Sequence, residues 1–396
     1  MSVNKFHPIT EDSFINQHNI ENTLLASIVQ KEINNQSASY TPNSWSNIDS
    51  MIDLGIAKTN IYIGDQFSCN RGNTEIVWDT IGHNCEQLTD SKYANRDNMT
   101  LYMHNLFSDN MQFSARQAFY VTDVGLTAGI YNIFIESQPW YAADQGKYAQ
   151  FELLQNLPAG GQIVFTHSHN TTMFGKTLST YSSTNNATVI ETAVISEGDN
   201  GTNLGTLKVI TQDSINSSHR AFWGSSNYKE SAIRQWLNSK ATAGNVWKPQ
   251  TKFDRPPSWA TTANGFMYGM DEDFLSVVKT THIKVARNTL FEDGGVDEMD
   301  DKFFLLSKPQ IYGGTTTSGI DEGQIHPYFA NYSDLITAGT GNDKNRIKIR
   351  NGSVQRYWLR SPNAGNGYDV WHVTVTGQLY VYVAADACGV AAACTI

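Results

Sequence analysis

Few side chains in this sequence are spaced as reactive groups usually are. His167 and His169, in the string FTHSHN, alternate along a strand-like run, which would put both rings on one face. A metal could use that spacing, with His83 and His104 as remote partners. No HExxH run or fixed carboxylate accompanies it, so surface histidines are the simpler reading and no metal site is expected. The acidic run FEDGGVDEMDD, residues 291–301, lacks the alternating acids and closing Glu of an EF-hand, and a solvated acidic loop is expected. DEDF, at 271–274, is a shorter acidic cluster. The four cysteines, Cys69, Cys85, Cys388 and Cys394, form no CxxC pair. Free buried thiols are the plain reading, with a Cys388–Cys394 or Cys69–Cys85 disulfide as the alternative. Neither Cys388 nor Cys394 sits in an electropositive or helix-start setting that would activate a thiol. GxSxG, Walker and strand-following GxGxxG motifs are absent. No catalytic residue and no cofactor is expected.

One concentration of recognition chemistry stands out, near the C-terminal end. Between positions 362 and 387 the chain places Asn363, Asn366, Tyr368, Asp369, Trp371, Tyr380, Tyr382 and Asp386 on loops and strands. Tyr and Trp supply large contact area for few rotamers lost, and Asn and Asp add adaptable hydrogen bonds, the chemistry of a binding surface. The competing reading is that some of these aromatics pack in the core. It is strongest for Trp371, which alternation places on one face with Val373 and Val375.

The elements that would position these residues follow from periodicity. VWHVTVTGQLYVYV contains two alternating strands around a turn at Thr376–Gly377. Val370, His372 and Thr374 fall on one face. Across the turn, Val381 and Val383 form the natural core face and leave Tyr380 and Tyr382 outward. Upstream, SWSNIDSMIDLG predicts a helix capped by Ser44, with Trp45, Ile48 and Ile52 inward and Gly55 as a left-handed stop. NIYIGDQF and EIVWDTI predict two strands joined by a turn at residues 69–73. KESAIRQWLNS predicts a helix with Ile233, Trp236 and Leu237 on one face, ending near Asn238. DEDFLSVV predicts a short helix that Asp271 can cap, and DKFFLLS a buried strand. IENTLLASIVQKEI, at 20–33, predicts an amphipathic helix. From about 118 to 212 the chain becomes short apolar runs between Gly, Asn, Ser and Thr, the spacing of an all-β sandwich.

Composition excludes some roles. The 396 residues carry 28 Lys+Arg against 38 Asp+Glu, a formal net charge of −10, which argues against sequence-independent nucleic-acid binding. Charged residues make up only 17%, below the usual figure of about 25%, so polarity comes from neutral groups such as Asn. Aromatic residues, at 11%, argue against wholesale disorder. No run approaches the roughly 18 apolar residues of a membrane span, and the start, MSVNKFHPITEDS, lacks the apolar core of a secretory signal.

The order SWSNIDSMIDLGIA, YIGDQF, TIGHN, YKESAIRQWLNS, DKFFLLS, YWLRSP and terminal GVAAACTI resembles a domain family of gut bacteria and their phages. That family has the C-type-lectin-like fold, related to formylglycine-generating enzymes, and includes the variable proteins of diversity-generating retroelements. In its pattern a WLRSP element opens the variable segment and a GVRPA-like strand closes it. Here YWLRSP spans 357–362, while GVAAA at 389–393 lacks the Arg and Pro.

The resemblance implies an α+β protein. Its parts would be an N-terminal helical attachment segment (1–40), a C-type-lectin-like domain (41–117 and 213–396) and an inserted β-sandwich domain (118–212). Trp358 and Arg360 would be scaffold, with 363–369 and 380–386 facing the ligand. The sugar motifs of calcium lectins (EPN, QPD, WND) and the cysteine context of the formylglycine-generating enzymes are not reproduced. The implied function is a phage virion structural protein, a tail-fibre, receptor-binding or head decoration protein, not an enzyme. It would sit on the virion surface and bind a host-cell surface protein or glycan. Other virion proteins would be partners, as would further copies in a homo-oligomer such as a trimer. Neither nucleic acid nor membrane insertion is expected. A bacterial surface or secreted adhesin of the same fold is the alternative, and a formylglycine-generating-type oxidase a more distant one.

Overall fold

The computed structural model describes residues 42–117, 223–251, 254–289, 294–314, 320–330, 345–364 and 367–396. Within the middle stretch it describes 120–121, 124–134, 148–153, 156, 158–165, 178–180, 188–196 and 203–211. The expected helix at 20–33 and the pair His167 and His169 lie outside the described residues.

The protein is α+β, with short helices packed on small antiparallel sheets. The central sheet has five antiparallel strands in spatial order Gln66–Arg71, Thr74–His83, Met99–Met103, Ala393–Thr395, Phe303–Phe304. Its fourth strand is the chain's last, which explains the small-residue tail: Ala391, Ala392, Ala393 and Cys394 are all fully buried. The predicted strand NIYIGDQF begins later, at Gln66. Residues 61–65 form a turn in which the Asp65 carboxylate accepts from the Tyr62 amide at 2.7 Å.

Helix Trp45–Asp53 starts at Ser44, whose hydroxyl accepts from the Asn47 amide, and buries Trp45, Ile48, Met51 and Ile52. Gly55, at φ 70°, turns the chain out of it. Helix Ala232–Leu237 is capped in the same way by Ser231 and buries Ile233, Trp236 and Leu237. Helix Glu272–Val277 buries Phe274, but Asp271 makes no capping bond there. Its carboxylate instead accepts from the Asn70 amide at 2.6 Å, tying the helix to the first strand. One chain of aromatic contacts joins these pieces: Trp45 to Phe274 (4.5 Å between centroids), Phe274 to Trp78 (5.3 Å) and Trp78 to Phe303 (6.0 Å). It continues to Phe266 (5.2 Å) and Trp236 (5.1 Å). Such pairs contribute about 0.5–1.5 kcal/mol each beyond the area they bury.

Two expectations change. The second half of the acidic run is not a solvated loop but the strand Val296–Asp301, paired with Thr281–Ala286. Its alternation turns Asp297, Met299 and Asp301 inward, where the acids are matched by cations. Arg234 meets Asp301 at 2.8 Å, and Arg287 meets Asp297 at 3.0 Å. Buried carboxylates are tolerable when paired this way. In the middle stretch, the seven described strands (between Tyr120 and Thr211) all join one antiparallel sheet, whereas a sandwich has two. Run spacing counts strands but carries no information on how they divide into sheets.

Candidate functional site: the C-terminal three-stranded sheet

The recognition residues lie on and around an antiparallel sheet of strands Tyr357–Pro362, Asp369–Val373 and Leu379–Val383. The first is sequestered completely: every residue of YWLRSP is buried. Trp358 donates its indole N–H to the Met111 carbonyl at 2.8 Å. Arg360 donates to the Leu305 carbonyl at 2.8 Å and to Gln310 Oε1 and the Glu322 carbonyl at 2.6 Å each. The Glu322 carboxylate is itself buried, accepting from Ser361 Oγ and from the Ala286 amide. Burial raises its pKa, and the Arg360 charge opposes that shift.

Cross-strand register sets which side chains share a face. Trp358 lies opposite His372, and His372 opposite Tyr380, while Val370 lies opposite Tyr382. Trp358, His372 and Tyr380 thus form a row that runs from core to solvent, with exposures of 0%, 3% and 65%. The centroids of Trp358 and His372 are 6.4 Å apart, and those of His372 and Tyr380 6.1 Å. Tyr382, half-buried, fills the angle at 5.9 Å from Trp358 and 5.6 Å from His372. The Arg356 guanidinium lies 3.8 Å from the Tyr382 ring centroid and donates to its hydroxyl at 2.9 Å. Burial, with a hydrogen bond to Asp386, holds the Tyr382 phenol above its usual range.

Burial, reinforced by the Arg356 charge, pushes His372 down to about 4, so it is a neutral ring at physiological pH. Its Nδ1 has no hydrogen-bond partner among the described residues. The result is an exposed tyrosine, a braced tyrosine, a cation and a carboxylate, all standing on a buried aromatic base.

The opposite face carries Asp369, Trp371, Val381 and Val383. Trp371 is half-buried against the core, with the Lys308 ammonium 4.8 Å from its ring centroid. Burial raises the Asp369 carboxyl to about 6.

The eight predicted residues therefore do not form one surface. Tyr382 meets both Arg356 and Asp386, and Tyr380 shares its face of the strand. Asp369 and Trp371 lie on the other face. Asn363 is half-buried near the end of the first strand, with its backbone carbonyl accepting from Asn288 at 2.7 Å. Tyr368 is only 4% exposed and belongs to the core. Asn366 lies outside the described residues. The valines are not the core face as expected. Val381 and Val383 are only half-buried, while Val370 and His372 are buried on the face of the tyrosines; Val373 is buried on the other face. The neighbouring strand covers both faces at this end, Trp358 opposite His372 and Tyr357 opposite Val373, all buried.

Arg356 and His372 were missed as site residues. The adjacency of Arg356 to YWLRSP was the available signal. The four cysteines are free, and Cys85 is exposed where buried thiols were expected. No group of three or more potential metal ligands occurs among the described residues. A separate surface cleft, lined by Arg71, Glu75, Ile76, Met103, Leu106 and Phe107 among others, shares no residue with the predicted set.

This is the fold and site of an α+β protein whose C-terminal sheet is sunk in the core along one strand and open along another. Residues 200–396 match the family described as a domain of unknown function, DUF6273. No curated protein and no solved structure matches the chain. No helix among the described residues is long and apolar enough to cross a membrane.

Proposed function

We propose that the chain is a phage virion structural protein, a tail-fibre, receptor-binding or head decoration protein, whose C-type-lectin-like domain binds a host-cell surface protein or glycan. The observation that carries this reading is the row Trp358–His372–Tyr380. A ring that is 65% exposed stands on two rings buried to 3% or less, and on the same strand face Tyr382 carries Arg356 and Asp386. Aromatic side chains on a rigid base bind at low entropic cost, and an adjacent guanidinium adds directional hydrogen bonding to acidic or hydroxylated groups. Side chains on such an open edge can change without unfolding the base, which is what a tunable receptor-binding surface requires. The aromatic and Asn content of the chain, with its low charge, fits recognition by ring contact and neutral hydrogen bonds.

The test is adsorption of labelled full-length protein to a panel of gut-bacterial cells, compared with the Arg356→Gln variant. Loss of cell binding by a variant that folds normally supports the assignment. Undiminished binding places the receptor site elsewhere.

A further inference from the structure

Strand Leu379–Val383 is the last of its sheet, and no other described strand pairs with its outer edge. Ladder parity shows which backbone groups face that way. The amides of Thr374 and Ala384 donate to the carbonyls of Gln378 and Tyr368 at 2.7 and 2.9 Å, so these are hydrogen-bonded pairs. Bonded and non-bonded pairs alternate along an antiparallel ladder. Val370 with Tyr382 and His372 with Tyr380 are therefore bonded pairs, and Trp371 with Val381 is not. The backbone N–H and C=O groups of Leu379, Val381 and Val383 consequently point away from the sheet. Of these groups, only the Val383 carbonyl has a partner among the described residues, the Asp386 amide at 3.1 Å.

An edge of this kind is a template for another strand, and proteins usually blunt it with Lys, Pro, a bulge or a covering segment. LYVYV holds no charge and no proline, and its register with the middle strand runs without a slip. It also reads nearly alike in both directions about Val381. A second copy laid antiparallel across a two-fold axis at Val381 would set Val381 against Val381, Leu379 against Val383 and Tyr380 against Tyr382. No like charges meet in that register, and each outward donor of one copy faces an outward acceptor of the other. Such self-complementarity is what an isologous contact needs.

We propose that the protein forms a two-fold dimer through antiparallel pairing of Leu379–Val383 with its copy, which joins the two C-terminal sheets into one. The two Val381 residues exchange both backbone bonds at the axis. On either side, the Val383 amide donates to the partner's Leu379 carbonyl. The Val383 carbonyl already accepts from Asp386 and keeps one lone pair for the partner's Leu379 amide. Tyr380 and the partner's Tyr382 become a non-bonded pair, the kind in which side chains approach most closely, and aromatic pairs there stabilise a sheet. The contact uses the edge and leaves both faces uncovered, so it doubles the aromatic row instead of hiding it. It stands independently of what that row binds.

The experiment is analytical ultracentrifugation of the full chain over a range of concentrations, with Val381→Pro beside it. The parent should pass from one chain to two as concentration rises. Proline at 381 removes a donor that the chain does not use internally, and an edge position with its N–H outward tolerates it. The variant's dimer should be weaker by roughly ten- to a hundredfold, the effect of two backbone bonds lost. Register is read by cross-linking in a Cys85→Ser background, because Cys85 is the exposed native thiol. Val381→Cys sets two thiols across a bonded pair, about 5.5 Å between Cα atoms and within reach of a disulfide. Tyr380→Cys sets them diagonally, about 7–8 Å apart and beyond that reach. A disulfide-linked dimer from the first and not from the second is expected. A chain that stays monomeric at every concentration overturns the proposal and leaves the edge to a strand from another protein. A parent-like dimer in Val381→Pro, or cross-linking at 380 but not at 381, overturns it as well. The cross-links decide the question even if Val381→Pro fails to fold.

Discussion

Strand Tyr357–Pro362 and strand Leu379–Val383 flank the same middle strand, yet one is wholly buried and the other has no fully buried residue. The buried strand spends its polar groups on the interior. Trp358 and Arg360 find backbone carbonyls, and Ser361 finds Glu322. The outer strand presents Tyr380 to solvent and holds Tyr382 against Arg356. Hydrogen bonds along the sheet join the two, so stability and surface chemistry reside in different residues of one small unit. That separation is what lets an outer edge vary while the base stays folded.

The comparison breaks most visibly from the buried side. Arg360→Met removes four hydrogen bonds, the weakest to the Lys284 carbonyl at 3.4 Å, and the largest of the charges that offset the buried Glu322 carboxylate. It should cost about 3–5 kcal/mol, read as a large fall in melting temperature or failure to fold. The double variant Arg360→Met with Glu322→Met should recover part of that loss. A normal melt for the single variant would show that the strand is not the base.

A smaller effect concerns pH. His372 titrates near 4 in the folded chain, below its ordinary value of 6.5, so the unfolded chain binds the proton more readily. Its contribution is present above pH 6.5 and is lost as pH falls toward 4. Asp369, raised from 3.8 to about 6, has the opposite sign: its contribution is present below about 3.8 and is lost as pH rises through 6. Melting curves of His372→Gln should therefore lose part of the acid sensitivity between pH 6.5 and 4. An unchanged profile would mean that the ring is solvated.

The smallest stability effect belongs to Tyr380→Ala. A side chain that is 65% exposed should change stability by about 0.5 kcal/mol or less. A larger loss would make Tyr380 structural.

How much of this was legible depends on the range of the cause. Local causes were readable: Ser44 and Ser231 as caps, Gly55 as a stop, the faces of the two predicted helices, the turn at Thr376–Gly377. Causes lying in a neighbouring strand were not. Alternation separated Tyr380 and Tyr382 from Trp371 correctly, but the inward face was chosen by counting valines. The adjacent strand buries positions on both faces, Trp358 with His372 and Tyr357 with Val373. Tyr368 stands among the loop and strand positions expected at the surface, yet its backbone carbonyl accepts from Ala384 and the residue is buried. Asp297 and Asp301 looked solvated because their cations lie far off in sequence, at Arg287 and Arg234.

The central claim is that the open edge binds while the buried strand only supports it. Its most direct test measures cell binding and melting temperature together for Tyr380→Ala with Arg356→Gln. A melt close to that of the parent, with binding weakened more than tenfold, is expected for loss of an anchor worth about 2 kcal/mol. Parent-like binding by a folded variant, or a collapse of the melt, would contradict it.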